Sequence, residues 1–301
     1  MEQDEAKKGG VYAAMAFFTW GLVPIYWKNL QVIGFQEVLS HRILWAAVCM
    51  WLLVWWKKEF REFFLLFKSK KIFFTLFLST LLIMFNWNLY IWAVSKGHIV
   101  EGSLGYFLNP LLNVLIGVFI LKERLKFLHW FAVTMAFIAI SILFYQHVGK
   151  PWISIGLAGS FALYGLLRKV VPVKAHLGQL FETTLLVPIV IVHFSYLWSQ
   201  NDFHFLTASW TIKGLLICGG VITVLPLIWF SKAVQILPLS IIGLFQYIAP
   251  TLQLLVGVFI YHEEFGPTHL LSFGLIWFGL LVYTTDQLWK SRNNLWKKVR
   301  N

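Results

Sequence analysis

The chain is poor in charged residues, and most of the charges that it has are positive. Charged side chains make up 13% of the 301 residues, with 25 Lys and Arg against 13 Asp and Glu. Apolar side chains make up 59%, which excludes a disordered chain and a soluble globular domain, because a soluble fold would have to expose many of them. Hydrocarbon accommodates such side chains, so the composition indicates a membrane protein.

Cysteine is nearly absent, since only Cys49 and Cys218 occur and both lie inside apolar runs. Two such residues provide neither a disulfide framework nor the spacing of a metal site, so we expect no metal and no cofactor. The sequence also lacks a glycine-rich phosphate-binding loop and an HExxH motif. These absences leave ATP-driven transport unsupported and count against a membrane enzyme that acts on lipid.

Ten apolar runs are long enough to cross a bilayer as helices, and they leave no room for a soluble domain. They lie near residues 11–31, 37–56, 72–95, 100–121, 127–146, 152–171, 178–198, 212–234, 239–261 and 268–288. Barrel strands would alternate polar and apolar side chains, which these runs do not. We therefore predict an all-α integral membrane protein with ten transmembrane helices. The first run follows a polar start without a cleavage site, so we expect it to be retained.

The basic residues are distributed unevenly between the loops. If the amino terminus is cytoplasmic, 20 of the 25 Lys and Arg residues fall on the cytoplasmic side. Short cytoplasmic loops carry such an excess, so we predict a plasma-membrane protein with both termini in the cytoplasm. Because these residues lie in gaps between apolar runs, they favour contact with anionic lipid and argue against nucleic-acid binding.

One segment occurs twice, 140 residues apart. Residues 117–129 read GVFILKERLKFLH and residues 257–269 read GVFIYHEEFGPTH, and only the first copy carries Lys and Arg. The loop of the first copy is predicted to be cytoplasmic and that of the second to lie outside, so the charge follows the membrane side. We therefore predict a 5+5 inverted repeat, residues 1–148 and 149–301, which is the plan of many secondary transporters.

The sequence SLGYFLNPLLNVLIGVFILKERL at residues 103–125 resembles the helix pair of EamA-type drug/metabolite transporters. The stretches GVYAAMAFFTWGLVPIYWKNL (10–30), EVLSHRILW (37–45) and NWNLYIWAV (86–94) are similar to the RarD branch of that family. The resemblance covers nearly the whole chain. It implies a plasma-membrane permease with alternating access around a central cavity. The branch is labelled by chloramphenicol sensitivity, which does not establish a substrate.

Polar and aromatic side chains in several spans are candidates for lining the substrate cavity, which in such folds lies where the repeats meet. The fourth span places Tyr106, Asn109 and Asn113 on one face, and the ninth span places Gln246 and Gln253 on the equivalent face. The remaining candidates are Trp20, Asn88 and Lys232. The alternative role for the amides is helix packing through hydrogen bonds, and for Lys232 it is snorkelling toward the interface.

Four ionisable residues are candidates for coupling or for charge recognition. Glu37 and His41 lie four residues apart at the start of the second span, and Arg42 follows them. This outer cluster could hold a substrate carboxylate, relay protons or fix the turn between the first two spans. Glu182 has no cation near it in the sequence, which makes it a candidate for a functional intramembrane carboxylate.

Four prolines interrupt apolar runs and are candidate hinges or static kinks, because proline removes a backbone hydrogen bond. They are Pro24, Pro110, Pro226 and Pro250. The duplicated Glu123 and Glu263 are expected to join helices rather than to perform catalysis.

These observations favour a secondary-active transporter, coupled to protons or to exchange, over a channel or a lipid-acting membrane enzyme. A channel needs a continuous polar pore, whereas this chain offers separate polar patches. No catalytic residue is expected. The expected partners are a small-molecule substrate and membrane lipid, and the question of a homodimer is open.

The inverted repeat predicts that positions 124 and 264 lie on opposite sides of the membrane. Single cysteines made by Arg124→Cys and Glu264→Cys, in a chain with Cys49→Ser and Cys218→Ser, should react with a membrane-impermeant maleimide from opposite sides. Labelling of intact cells and of inverted vesicles measures this. Reaction of both positions from the same side would contradict the inverted repeat.

Overall fold

The computed structural model describes residues 2–96, 98–125, 127–146, 150–262, 266–267, 270–282 and 285, and all regular structure in these residues is helical. The helices are α1 Glu2–Lys28, α2 Phe35–Lys57, α3 Phe60–Leu65, α4 Lys70–Ser95, α5 Ile99–Phe119, α6 Phe127–Gln146, α7 Pro151–Val170, α8 Ala175–Ser199, α9 Trp210–Ile236, α10 Leu239–Gln246, α11 Ile248–Tyr261 and α12 Leu270–Val282. One turn of 3₁₀ helix, Leu66–Lys68, separates α3 from α4.

Nine segments of the described residues are long and apolar enough to cross a membrane, and the ninth combines α10 with α11. The tenth predicted span corresponds to α12, which is described over fewer than the roughly 20 residues that a bilayer requires. The all-α, multi-pass membrane fold predicted from the sequence is thereby confirmed. The count of ten transmembrane helices remains a prediction.

Pro250 interrupts the ninth span. Its ring nitrogen cannot donate a hydrogen bond to the carbonyl four residues earlier, which belongs to Gln246, and α10 ends at that residue. The other three candidate hinges lie inside continuous helices, and they are Pro24 in α1, Pro110 in α5 and Pro226 in α9. A hinge role for any of the four remains a prediction.

The most extensive helix contacts join the first half of the sequence to the second. Helix α1 packs against α9 and α11, whereas α7 packs against α4 and α5. Helix α2 packs against α8 and α9, and α5 also packs against α10. These pairs are reciprocal, because α1, α4 and α5 correspond in the predicted repeat to α7, α9 and α10–α11. The contacts therefore agree with a two-fold relation, while the boundary at residues 148/149 remains a prediction.

Two helix groups result, each built from both halves of the chain. We call α1, α2 and α9 the first helix group, and α4, α5 and α7 the second. In the middle of the bundle one apolar cluster joins the groups, and it includes Phe230 of α9 and Tyr164 of α7. Toward one face α9 and α7 separate, because Leu216 of α9 belongs to a cluster within the first group, whereas Leu89 and Ile153 belong to one within the second. At the same face α2 and α4 share a further cluster with α8.

Loops at the ends of α2, α5, α7 and α9 meet on one face of the bundle, which we call the clamped face. Glu59, after α2, accepts a hydrogen bond from Lys174 Nζ at 3.0 Å and contacts His176 at the start of α8. Glu123, after α5, accepts hydrogen bonds from Ser240 N at 2.9 Å and Ser240 Oγ at 2.7 Å. Glu123 therefore joins α5 to α10, as the sequence predicts. Its duplicate, Glu263, lies outside the described residues.

Other loops meet on the opposite face. Glu37, at the start of α2, accepts a hydrogen bond at 2.8 Å from the backbone nitrogen of Phe205, in the loop before α9. Glu101, in α5, accepts one at 3.1 Å from the backbone nitrogen of Lys150, before α7. This sorting of loops agrees with spans that alternate in direction. The assignment of the clamped face to the cytoplasm rests on the basic residues and remains a prediction.

Gly220 places α9 directly against α2. A Cβ on Gly220 would lie 2.4 Å from the backbone carbonyl carbon of Trp45 and 2.7 Å from the backbone nitrogen of Ala46. Because backbone atoms cannot move aside singly, Gly220→Ala should destabilise the protein by roughly 1–3 kcal/mol, the usual cost of overpacking. The thermal unfolding midpoint of the purified protein in detergent measures this effect.

Gly214→Ala is the matched control on the same helix, since nothing lies within 4 Å of a Cβ at Gly214. Its midpoint should stay unchanged or rise slightly, because alanine favours a helix over glycine. Equal midpoints for the two variants would show that α9 and α2 do not approach so closely.

Candidate functional site

A buried pair of opposite charges lies between α7 and α8. Arg168 Nη1 is 3.5 Å from Glu182 Oε1, and the two side chains are 0% and 2% exposed. Ser79 Oγ donates a hydrogen bond to Glu182 Oε1 at 2.6 Å, and Tyr164 OH donates one to Oε2 at 3.1 Å. Arg168 Nε donates a hydrogen bond to Ser231 Oγ at 3.1 Å. The network therefore ties together α4, α7, α8 and α9.

Gly178, one turn before Glu182 on α8, provides the space for the guanidinium. A Cβ on Gly178 would lie 1.9 Å from Arg168 Nη1 and 2.7 Å from Arg168 Cζ. Arg168 Nη2 donates a hydrogen bond to the carbonyl oxygen of Ala175 at 2.8 Å, which holds the side chain against the start of α8. The cation fits inside the bundle because α8 carries no side chain at position 178.

Glu182 is not the isolated carboxylate that the sequence predicts, because Arg168 lies beside it. Arg168 stands at the end of the sixth apolar run, where sequence alone counts its charge with the loop. The turn between α7 and α8 brings the two helices side by side and buries both charges. A role for Glu182 in coupling remains a prediction.

The amide side chains predicted to line a cavity contact one another. Asn113 Nδ2 donates hydrogen bonds to Asn109 Oδ1 at 3.2 Å and to Gln246 Oε1 at 2.6 Å, and all three side chains are buried. In this conformation they hold α5 against α10, which is the packing role that the sequence left open. Tyr106, one turn before Asn109, is half-buried against Tyr90, with ring centroids 5.6 Å apart.

Trp20 and Gln253 lie together in the middle of the bundle. Gln253 Nε2 donates a hydrogen bond to the carbonyl oxygen of Trp20 at 3.2 Å. The Trp20 ring lies 5.7 Å, between centroids, from both Phe161 of α7 and Phe230 of α9. Trp20 is therefore at the boundary between the two helix groups, where the sequence predicts the substrate cavity.

Asn88 and Lys232 lie apart from these residues. Asn88 shares an exposed stripe of α4 with Leu81 and Phe85, and its Nδ2 donates a hydrogen bond at 2.8 Å to the backbone of its own helix. Lys232 is half-buried, and its Nζ lies 4.9 Å from the ring centroid of Tyr12. The structure places neither residue in contact with the amide side chains of Asn109, Asn113 and Gln246.

Glu37 and His41 hold a loop on the opposite face. The Glu37 carboxylate accepts backbone hydrogen bonds from Phe205 at 2.8 Å and from His204 at 3.2 Å. The His41 ring packs against Phe203 and Phe205, with centroids 6.0 and 4.5 Å away, and its Nε2 is 3.9 Å from Glu37 Oε1. These contacts favour the structural role among the alternatives that the sequence left open.

Arg42 turns away from the outer cluster that the sequence predicts and lies among aromatic side chains. Its guanidinium carbon is 4.5 Å from the ring centroid of Trp27 and 5.4 Å from that of Trp87. Arg42 Nε donates a hydrogen bond to Thr223 Oγ1 at 3.2 Å. The side chain is half-buried. We call these four residues the arginine pocket.

Sequence reasoning missed five residues that form buried polar contacts. They are Ser79, Asn86, Tyr164, Arg168 and Ser231. A serine or an asparagine in an apolar run carries no pattern that shows whether it faces a partner or lipid. One signal pointed to Tyr164, because WGL at residues 20–22 aligns with YGL at 164–166 and equates Tyr164 with Trp20.

The arrangement is suited to binding. A half-buried guanidinium can bind an anion, and the surrounding aromatic faces can stack on a planar ring. Within the part of the chain that the structure describes, no group of three or more His, Cys, Asp or Glu is placed to hold a metal ion.

Comparison with known proteins finds transporters. The profile of the EamA-like transporter family matches residues 7–145. "Uncharacterized transporter YojE" of Bacillus subtilis is 40% identical over 298 residues, which cover 96% of this chain and 98% of that protein. "Protein RarD" of Escherichia coli is 35% identical over 292 residues, which cover 97% and 99%. An "Uncharacterized transporter" of Vibrio cholerae is 38% identical and covers 95% of each chain.

A solved structure has a similar arrangement of helices. A chain titled "Crystal structure of protein" superposes with a TM-score of 0.67 at 15% identity, covering 93% of this chain and 98% of that one. At such low identity the likeness concerns the fold alone.

Arg168→Met should destabilise the protein by roughly 3–5 kcal/mol, because it leaves the buried Glu182 carboxylate without a counter-charge. Combining it with Glu182→Met should recover much of the loss, since no charge is then buried. Thermal or chemical unfolding in detergent measures both variants. Glu62→Gln, in a half-exposed ion pair with Lys174, is the control and should change stability little. A double variant no more stable than Arg168→Met would contradict the pairing.

Proposed function

Because the chain belongs to the EamA-like transporter family, in its RarD branch, we propose that it is a secondary-active carrier that moves a small molecule by alternating access. The substrate passes between the two helix groups. The carrier lies in a bacterial plasma membrane, with its clamped face and both termini toward the cytoplasm. Assembly as a homodimer remains a prediction.

The observation that carries this proposal is the seam between α7 of the second helix group and α9 of the first. Near the clamped face, Lys169 Nζ donates hydrogen bonds to the carbonyl oxygens of Val234 at 3.0 Å and Leu237 at 2.6 Å. Gln235 Nε2 donates one to the carbonyl oxygen of Val173 at 2.9 Å. These contacts, with that of Arg168 to Ser231, tie the C-terminal ends of the two helices.

Toward the opposite face the two helices take different partners. The start of α7 packs on α4, where Leu157 and Leu89 share a cluster, while the start of α9 packs on α1 and α2. Gly219 of α9 lies beside Trp27 of α1, because a Cβ on Gly219 would be 3.6 Å from the Trp27 ring. A seam tied at one end and divided at the other is what a carrier open toward the opposite face requires. Reversal needs the tied end to separate and the divided end to close.

Charged contacts between loops strengthen the tied end. Lys174 Nζ is 3.0 Å from Glu59 Oε1 and 2.5 Å from Glu62 Oε2, and these two hydrogen bonds raise the pKa of Lys174. Partial burial raises the pKa of Glu59, but hydrogen bonds from His176 and Lys174 outweigh it and hold that pKa below its usual range. The contact between Lys174 and Glu59 is therefore charged at neutral pH, and it weakens when acid protonates Glu59 or when alkali deprotonates Lys174.

The proposal includes coupling through Glu182, either to protons or by exchange of substrates. Under proton coupling, protonation of Glu182 removes the charge that neutralises Arg168 and loosens the tied end of the seam. Under exchange, the pair stays intact and differential binding of substrate drives the movement. Glu37 and His41 are less suited to this role because they hold a loop on the opposite face.

Lys169→Met should open the clamped face, because it removes two charge-assisted hydrogen bonds across the seam. The readout is a cysteine introduced by Leu239→Cys, at a fully buried residue of α10, in a chain without Cys49 and Cys218. In inverted vesicles a membrane-impermeant maleimide should modify this cysteine roughly tenfold faster in the Lys169→Met chain.

Lys213→Met is the matched control, since Lys213 lies in the first turn of α9 on the opposite face and its Nζ donates a hydrogen bond to the carbonyl oxygen of Leu206 in the preceding loop. It should leave the rate of modification unchanged. Equal rates with and without Lys169→Met would contradict the proposal that this seam gates access.

A further inference from the structure

Arg42 differs from the other deeply placed arginine. Arg168 is fully buried and paired with Glu182, whereas Arg42 is half-buried, and among the described residues no carboxylate lies at ion-pair distance from it. Arg42 is the eighth residue of α2, which places it about 10 Å along the helix from its start. A cation at such depth without a counter-charge is costly and is retained where a partner binds it.

Among the described residues, the hydrogen bond of Arg42 uses Nε and leaves one edge of the guanidinium available for a ligand. Nε donates a hydrogen bond to Thr223 Oγ1, while the ring of Trp27 covers the guanidinium at 4.5 Å from its centroid. The two Nη groups are the edge that binds a carboxylate in a bidentate manner. A cation–π contact contributes only about 0.5–2 kcal/mol and does not replace a counter-ion.

Aromatic rings surround the same position. Trp87 of α4 faces Arg42 from the second helix group, and Tyr90 and Tyr106 are close enough to interact with its charge. The Tyr90 and Tyr106 rings are 5.6 Å apart at a steep angle of 61°, and both are half-buried. A planar ring can therefore stack on aromatic faces while its acidic group reaches the guanidinium.

The arginine pocket also lies between the two helix groups. Trp27, Arg42 and Thr223 belong to the first group, and Trp87 belongs to the second. A ligand held here contacts both sides of the seam on the divided side. Its binding would therefore differ between conformations, which is what links a ligand to alternating access.

We propose that the arginine pocket binds the substrate, and that the substrate is a small aromatic anion whose carboxylate pairs with Arg42. The role of this site in transport rests on the proposed function, whereas the binding of the anion does not. A neutral or cationic analogue of the same ring binds more weakly, because it leaves the guanidinium without a counter-charge.

Titration calorimetry of the full-length protein in lipid nanodiscs tests this with two probes, indole-3-carboxylate and its neutral analogue indole-3-carboxamide. The unmodified protein should bind the carboxylate roughly 10- to 100-fold more tightly than the amide. Arg42→Gln should remove that preference. Arg124→Gln, at an exposed arginine on the clamped face, is the matched control and should keep it.

Equal affinity of the unmodified protein for the two probes, or a preference that survives Arg42→Gln, would overturn the proposal. If Arg42→Gln does not fold, the carboxylate affinity of Arg42→Lys tests the proposal instead, because lysine keeps the charge but not the bidentate edge. Reduced carboxylate affinity in Arg42→Lys supports the proposal, and unchanged affinity overturns it. The maleimide experiment at Leu239→Cys uses no ligand, so failure of the alternating-access proposal is detected separately.

Discussion

The burial of Arg168 beside Glu182 is the interaction on which the rest of the helix bundle depends. Two charges in an apolar bundle are tolerated only when they neutralise each other and when their remaining polar atoms find partners. Here Ser79 and Tyr164 donate hydrogen bonds to the carboxylate, and Ser231 accepts one from Arg168 Nε, while Arg168 Nη1 has the carboxylate itself at 3.5 Å. Because these groups come from α4, α7, α8 and α9, the requirement to satisfy one ion pair fixes how four helices meet.

That requirement also gives the bundle its asymmetry. The hydrogen bond from Arg168 to Ser231 and those from Lys169 tie α7 to α9 near the clamped face, while these two helices pack in separate apolar clusters toward the opposite face. Arg42 lies on the divided side and is only half-buried, so its charge is not neutralised in the same way. Arg168 thus contacts both α8 and α9, and Arg42 is the residue that we propose binds the substrate.

The two copies of the repeated segment differ for a reason that concerns the membrane rather than the fold. Both copies keep a glutamate after the helix, and Glu123 shows its use, since its carboxylate accepts hydrogen bonds at the N-terminus of α10. A helix N-terminus carries partial positive charge and free N–H groups, which a carboxylate satisfies. Lys and Arg occur only in the copy predicted to be cytoplasmic, because basic residues set orientation.

The sequence by itself determined the class of the protein, the long apolar helices and the family, because hydrophobic length and a duplicated motif are properties of consecutive residues. It also predicted that Glu123 joins helices and that Asn109, Asn113 and Gln246 face inward. Tertiary structure alone decided which polar residues meet. Arg168 reaches Glu182 only across the turn from α7 to α8. Arg42 contacts Trp27, Trp87 and Thr223 rather than Glu37, because α1, α4 and α9 all pack around this part of α2. Charged side chains inside a membrane find their partners through helix packing, and no spacing along the sequence encodes which residues will pair.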